Sequence, residues 1–253
     1  MRNLLILAMA LAASVPGAEK WTVEDVLLQE AAGGLKLSRD GRLAVYTKSR
    51  MDAEKGESIT HLYLKYVDDG AEIQLTRGTD SASGPKFSPD GKKIAFLTAR
   101  KAAGAGSGAG SGAAGGGEGG GPSGQQIWLF DVRGGEPQQL TKMERGVRTF
   151  EWLSNEALVA ACAEDATLYA QKVKERKDTS QQVDDEKNEP PVRLFRIEAK
   201  GGKATRLTDN GDRITNIWAS PDGNWAVTTH NRSLAEIYNQ KVKPVAFLHD
   251  LKN

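Results

Sequence analysis

The feature that most constrains this chain is a turn that it repeats. Leu35-Lys36-Leu37-Ser38-Arg39-Asp40-Gly41 leads into Leu43-Ala44-Val45-Tyr46. Pro85-Lys86-Phe87-Ser88-Pro89-Asp90-Gly91 leads into Ile94-Ala95-Phe96, and Ile217-Trp218-Ala219-Ser220-Pro221-Asp222-Gly223 into Trp225-Ala226-Val227. A degenerate copy, Phe150-Glu151-Trp152-Leu153-Ser154-Asn155-Glu156, leads into Leu158-Val159-Ala160. It lacks the glycine, so a different turn is expected there. Asp-Gly supplies the positive φ that a tight hairpin needs, and proline presets a turn that cannot continue a ladder. The near-continuous apolar run after each turn suits a strand covered on both faces.

A second hairpin follows each of the first three. Leu62-Tyr63-Leu64 reaches Asp69-Gly70 and then Leu75-Thr76. Ile127-Trp128-Leu129-Phe130 reaches Gly134-Gly135 and Leu140-Thr141, and Leu194-Phe195-Arg196-Ile197 reaches Gly201-Gly202 and Leu207-Thr208. In each copy the last turn glycine stands five residues before the leucine. Each unit is therefore four strands, the make-up of a β-propeller blade, WD-like in kind. The turn positions Asp40, Asp90, Asn155 and Asp222 are spaced by 50, 65 and 67 residues. Reading the loops between the two hairpins as 48–58, 99–125 and 164–191 reduces all three spacings to about 50, a blade-like period. The expected fold is all-β: residues 35–253 form blades 1–4 of four antiparallel strands. About 3.75 blades are present, an incomplete propeller. Val245 to Leu251 reads as the third strand of blade 4, so the chain is expected to be a fragment. A propeller needs closure to cover its edges.

Residues 1–18 read as a signal peptide. Arg2 precedes the apolar run Leu4 to Ala13, and Ser14-Val15-Pro16-Gly17-Ala18 is a small-residue cleavage region. The run is too short to span a bilayer. A secreted or periplasmic protein is expected, with no membrane span after signal cleavage. Residues 19–34 read as a helical lead-in. Thr22-Val23-Glu24-Asp25 resembles a capping box, Val23, Val26 and Leu27 share a face, and Gly33-Gly34 ends the helix. Residues 102–124, almost wholly Gly, Ala and Ser, read as a flexible insertion without a phosphate-loop motif. Residues 164–191 read as a charged insertion, with a short helix over Leu168 to Lys177. The formal charge of +1 provides no global field for nucleic acid.

Little in the chain suggests chemistry. Ser107, Ser111 and Ser123 all lack G-x-S-x-G surroundings, so no nucleophile elbow is present. His61, His230 and His249 lack metal-ligand spacing and read as structural or surface residues. His61 is placed at the start of an exposed, alternating strand. Asp209-Asn210-Gly211-Asp212 reads as a turn where blades connect, not as a calcium loop. Asn231-Arg232-Ser233 is a glycosylation sequon. Cys162, the single cysteine, reads as a small buried hydrophobe. No residue is assigned a catalytic, cofactor-binding or metal-ligating role, and no cofactor is called for.

The units Ser88-Pro89-Asp90-Gly91-Lys92-Lys93-Ile94-Ala95-Phe96 and Ser220-Pro221-Asp222-Gly223 resemble the repeat of the prolyl oligopeptidase family of serine peptidases, including its dipeptidyl-peptidase and acylaminoacyl-peptidase types. They also resemble the repeat of the periplasmic Tol-system propeller protein. Trp21-Thr22-Val23-Glu24-Asp25-Val26-Leu27-Leu28, followed by Leu37-Ser38-Arg39-Asp40-Gly41-Arg42, looks like the start of the peptidase group. That resemblance implies a propeller that filters peptide substrates and packs on a C-terminal α/β-hydrolase domain, which holds the Ser-Asp-His triad and is absent here. The chain alone is then inactive. The alternative that the second resemblance implies is a non-enzymatic periplasmic binding propeller.

Overall fold

The structure, a computed structural model, describes residues 21–52, 56–100, 124–163, 172, 176, 190–233 and 242–252. The expectations placed on the signal segment, on nearly all of both insertions and on the helix over Leu168 to Lys177 lie outside the described residues, apart from Lys172 and Arg176.

Fifteen described strands fall into blades as the repeat predicts. Blade 1 is β1 (Ala31–Leu37), β2 (Leu43–Asp52), β3 (Glu57–Tyr66) and β4 (Glu72–Gln74), hydrogen-bonded in that order. Blade 2 is β5 (Ala82–Phe87), β6 (Lys93–Thr98), β7 (Gln126–Asp131) and β8 (Gln138–Gln139). Blade 3 is β9 (Val147–Trp152), β10 (Ala157–Ala163), β11 (Val192–Glu198) and β12 (Ala204–Arg206). Three strands of a fourth blade follow: β13 (Arg213–Ala219), β14 (Trp225–Asn231) and β15 (Val245–Asp250). Every pairing within a blade is antiparallel. Blades 3 and 4 also touch through one parallel bridge between Val192 and Arg213.

The motif residues close their hairpins by a shared set of bonds. Ser38, Ser88 and Ser220 each donate from the side-chain hydroxyl to the aspartate two residues on. The same hydroxyls accept from the backbone N–H of Leu43, Lys93 and Trp225 at 2.9, 3.0 and 3.0 Å. The Ser220 hydroxyl, and then the Asn224 backbone N–H, which donates to the same carboxylate at 3.1 Å, hold the carboxyl of Asp222 down at about 2, so the turn keeps its charge across the neutral and mildly acidic range. In the degenerate copy, Ser154 bonds Glu156 instead. Leu153 and Ser154 both donate to the Ala157 carbonyl, a hairpin one residue shorter.

The second hairpins explain the Leu-Thr pairs. The N–H of Leu75, Leu140 and Leu207 donates to the carbonyl of Leu62, Ile127 and Leu194 at 2.8 Å. The next residue's hydroxyl (Thr76, Thr141, Thr208) accepts from that third-strand residue's N–H at 2.9, 2.9 and 3.0 Å.

Two expectations are corrected. The lead-in is helical only over α1 (Val23–Leu27), capped by the Thr22–Asp25 box, and β1 begins at Ala31. Gly33-Gly34 does not end that helix. It forms a bulge in β1, where Gly33 pairs with Thr47 but Lys36 pairs with Val45, and Gly34 takes φ +62°. Gly84, at φ +58°, makes the same bulge in β5. One extra residue also enters β9, at Arg148, and β13, at Thr215. All four first strands are thus bulged. The second correction concerns the 48–58 loop. β2 and β3 pair as far as Asp52 and Glu57, so most of that loop is ladder. The alternation Tyr46, Lys48, Arg50 against Tyr63, His61, Ile59 carries the hairpin outward.

Three apolar clusters fill the three spaces between blades. Val45, Leu64, Ile94 and Phe96 lie between blades 1 and 2, and Leu97, Val147, Phe150 and Leu158 between blades 2 and 3. Val159, Leu194, Ile214 and Ile217 lie between blades 3 and 4. The all-apolar runs belong to strands with neighbours on both sides: β10 is buried at every position and β6 at five of six. β14 alternates because one face is open.

Candidate functional site

Four described polar side chains form a connected row in blade 4. The His230 Nδ1 stands 2.7 Å from the Asp212 carboxylate. Its Nε2 is 2.8 Å from the Thr228 hydroxyl, which is in turn 2.8 Å from the His249 Nε2. One proton assignment satisfies the row. His230 donates from Nδ1 to Asp212, Thr228 donates to the His230 Nε2, and His249 donates from Nε2 to Thr228. Thr228 and His230 are two apart on β14 and so share its inner face. The β14–β15 register pairs Ala226 with His249 and Thr228 with Phe247, so His249 reaches Thr228 diagonally on one face, and the Phe247 ring lies tilted 4.5 Å from the His230 ring.

Asp212 is held by its own turn. The Asn210 amide donates to the Val192 and Asp212 carbonyls and to the Asp212 carboxylate, at 3.0, 2.9 and 2.8 Å. Thr208 donates to the Asn210 side-chain oxygen. The segment 209–212 is therefore a turn at the connection between blades 3 and 4: Asn210 bonds backbone, Thr208 and Asp212, Asp212 bonds His230, and Asp209 pairs with Arg206 at 2.7 Å.

The order carboxylate, imidazole, hydroxyl has the connectivity of a hydrolase triad. It cannot act as one, because Thr228 is fully buried, His230 is 2% exposed, and His249 covers the hydroxyl from its other side. Burial, and then the neighbouring His230, lower the His249 pKa below the usual histidine value. The row works as a tie, fastening the interblade turn to two strands of blade 4. Reading the three histidines separately missed this. The period-2 spacing of Thr228 and His230 was a visible signal, but the partner from β15 needed the strand register.

The remaining candidates are structural. His61 does not begin an exposed strand. It sits mid-strand in β3, 5% exposed, and burial followed by the Arg50 charge lowers its pKa. Cys162 is fully buried in the cluster between blades 2 and 3, which pushes its thiol up to about 12. An open hollow of about 440 Å³ lies between the outer hairpins of blades 2 and 3, lined by residues such as Leu129, Gln139, Leu140 and Gly202. Lys142 is its one ionisable lining residue, which leaves it without an acid–base pair.

Residues 34–114 match the family model for the N-terminal domain of the acylamino-acid-releasing enzyme. An uncharacterized peptidase, YuxL, of Bacillus subtilis (strain 168) is 23% identical over 227 residues, covering 83% of this chain and 31% of the relative. Dipeptidyl-peptidase 5 of Porphyromonas endodontalis is 35% identical over 77 residues, 30% of this chain and 11% of its own. The chain thus spans about a third or less of the length of these relatives. Among solved structures, the acylaminoacyl peptidase of Pyrococcus horikoshii matches with a TM-score of 0.52 at 17% identity, over 83% of this chain and 29% of that one. TolB from Acinetobacter baumannii also matches at 0.52, with 15% identity, over 88% and 42%. The structural likenesses establish the propeller fold. With the family match and the peptidase relatives, they bear out the resemblance to the N-terminal propeller region of prolyl oligopeptidase-family serine peptidases.

Proposed function

On that resemblance we propose that this chain is the substrate-gating propeller portion of a secreted serine peptidase. The hydrolysis belongs to an α/β-hydrolase domain that follows in the longer protein. There, an activated serine attacks a peptide carbonyl beside an oxyanion hole. The propeller's part is steric: it packs over the active site and admits peptides while excluding folded proteins. The observation that carries the reading is the match of residues 34–114, which spans most of blades 1 and 2, to the N-terminal domain of a peptidase family. The buried Asp212–His230–Thr228 row fits a scaffold role, since its hydroxyl cannot meet a substrate. Export through the N-terminal signal segment belongs to the same proposal.

The test has two arms. The purified chain leaves peptidyl chromogenic substrates uncleaved. The polypeptide encoded through the downstream sequence cleaves them and loses that activity to a serine-directed phosphonate. A downstream sequence with G-x-S-x-G, followed by Asp and His, agrees with the proposal. A stop soon after the propeller closes sinks it and favours a binding propeller of the TolB kind, whose fold this chain shares over 88% of its length. Serine-dependent turnover by the purified chain alone would also overturn it.

A further inference from the structure

A small cavity between blades 1 and 2 is lined by a buried donor that has nothing to bond. The cavity measures about 10 Å³, room for about one oxygen atom, and is lined by Thr76, Arg77, Asp80, Thr98, Arg100 and Trp128 among others. All of its lining residues belong to blades 1 and 2 or to their connection, and both blades have their four strands. Trp128 is 4% exposed, and its indole Nε1–H has no acceptor. Buried polar groups are nearly always bonded, so an acceptor belongs beside this one.

The repeat itself supplies a second observation. The threonines of the Leu-Thr pairs in blades 2 and 3 each donate to a side-chain oxygen, Thr141 to Gln126 at 2.8 Å and Thr208 to Asn210 at 2.7 Å. Thr76 keeps the other half of that pattern and accepts from the Leu62 N–H at 2.9 Å. Its own proton has no described acceptor, because blade 1 has His61 and Gly78 at the places of Gln126 and Asn210. The Thr98 hydroxyl, by contrast, is spent on the Ser81 carbonyl and the Arg100 N–H. The Arg100 guanidinium lies 5.7 Å over the Trp128 ring, and Arg77, Asp80 and Arg100 are all exposed, at the mouth of the cavity. Among the described residues, none of these three has an ion-pair partner. Two guanidiniums and one carboxylate leave the mouth with a net charge of +1.

We propose that this cavity is a binding site for a carboxylate. One carboxylate oxygen enters it and accepts from the Trp128 Nε1–H and the Thr76 hydroxyl, while the other stays at the mouth with the Arg77 and Arg100 guanidiniums. Room for a single oxygen and a net charge of +1 suit a carboxylate better than a phosphate dianion. The site is particular to this pair of blades. The residue of blade 3 that corresponds to Trp128 is Phe195, which has no proton to donate. The proposal stands apart from the peptidase reading, because it uses only groups of blades 1 and 2.

The probe is sodium acetate, added to the full chain with 15N-labelled tryptophan at constant ionic strength set with chloride. The indole N–H signals of the five tryptophans are followed by NMR, and that of Trp128 is identified by its loss in Trp128→Phe. Acetate moves the Trp128 signal downfield and saturably, and leaves the other indoles in place. The double change Arg77→Gln and Arg100→Gln alters two exposed side chains and so spares the fold, which the unchanged signals of the other indoles verify. It weakens acetate binding about tenfold. Acetyl-dialanine with a free carboxyl end distinguishes the sources of the group. A shift with both ligands admits a peptide chain end, a shift with acetate alone restricts the site to small organic acids, and either supports the proposal. No saturable shift of Trp128 with acetate overturns it. So does equal affinity in the double variant, or tighter binding of inorganic phosphate than of acetate at pH 7.5.

Discussion

Gly91 and Gly223 close the same kind of hairpin at φ +70°, yet only one of them has a neighbour. A Cβ on Gly91 would meet nothing within 4 Å, while a Cβ on Gly223 would sit 2.2 Å from the Leu153 carbonyl oxygen of blade 3. Gly91→Ala should therefore cost about 1 kcal/mol, the penalty of a left-handed alanine. Gly223→Ala should cost about 2 kcal/mol more, because the hairpin must move off a backbone atom. Urea titration of both variants measures the difference. Thr141 makes a similar point for polar groups. It is 1% exposed, accepts from the Ile127 N–H and donates to the Gln126 side chain. Thr141→Val leaves a buried N–H without its acceptor and should cost about 1–3 kcal/mol. Protonation acts at this scale too. His61 and His249 have pKa values lowered by burial from 6.5, so the unfolded chain takes up protons that the folded chain resists. Their contribution to stability is complete above pH 6.5 and is lost as pH falls below it. Unfolding midpoints should drop between pH 7.5 and pH 5, and His61→Phe should flatten that dependence.

At the scale of elements, the second strands begin with similar apolar residues after their turns but carry very different burdens. Leu158 of β10 is fully buried between blades 2 and 3, whereas Val227 of β14 is 38% exposed. Leu158→Ala should cost about 2–5 kcal/mol, as a core cavity does, and Val227→Ala well under about 1 kcal/mol. Comparable losses in the two variants would mean that the face of β14 is covered in solution. The bulges are the other element-level device. Gly34 and Gly84 place a positive φ inside a strand, and Gly33-Gly34 reads in sequence as a break. The copies at Arg148 and Thr215 reach the same register shift without glycine, so no residue type announces them.

Among the described residues, the outward faces of blades 1 and 4 both carry exposed large apolar side chains, Leu35 and Leu37 in blade 1, but differ in their charged groups. The forward face of blade 4 carries Trp218, Trp225, Val227 and Leu248, exposed at 53%, 39%, 38% and 66%. The rear face of blade 1 carries a polar set. Lys48 bonds Glu72 at 2.6 Å and lies 4.5 Å above the Tyr63 ring, and Tyr46 donates to the same glutamate. The apolar face also predicts behaviour in solution. The purified chain should self-associate with rising concentration, and the double change Trp218→Lys and Leu248→Lys should reduce this in sedimentation velocity. Unchanged association in that variant would place the contact elsewhere.

The turn chemistry alone determined the four-strand unit, its period and the all-β class, because Asp-Gly turns and Leu-Thr ends bond to backbone a few residues away and so leave a local trace. The burial of Cys162 was legible for a similar reason, from its alanine neighbours. Only the tertiary structure decided the rest. Whether an apolar segment is covered depends on a neighbouring blade, so Leu158-Val159-Ala160 and Trp225-Ala226-Val227 both read as apolar after their turns and differ in burial. Gly33-Gly34 reads as a helix end until the register of β1 against β2 makes it a bulge. The Asp212–His230–Thr228–His249 row joins residues from a turn and two strands, and no spacing along the chain encodes that meeting.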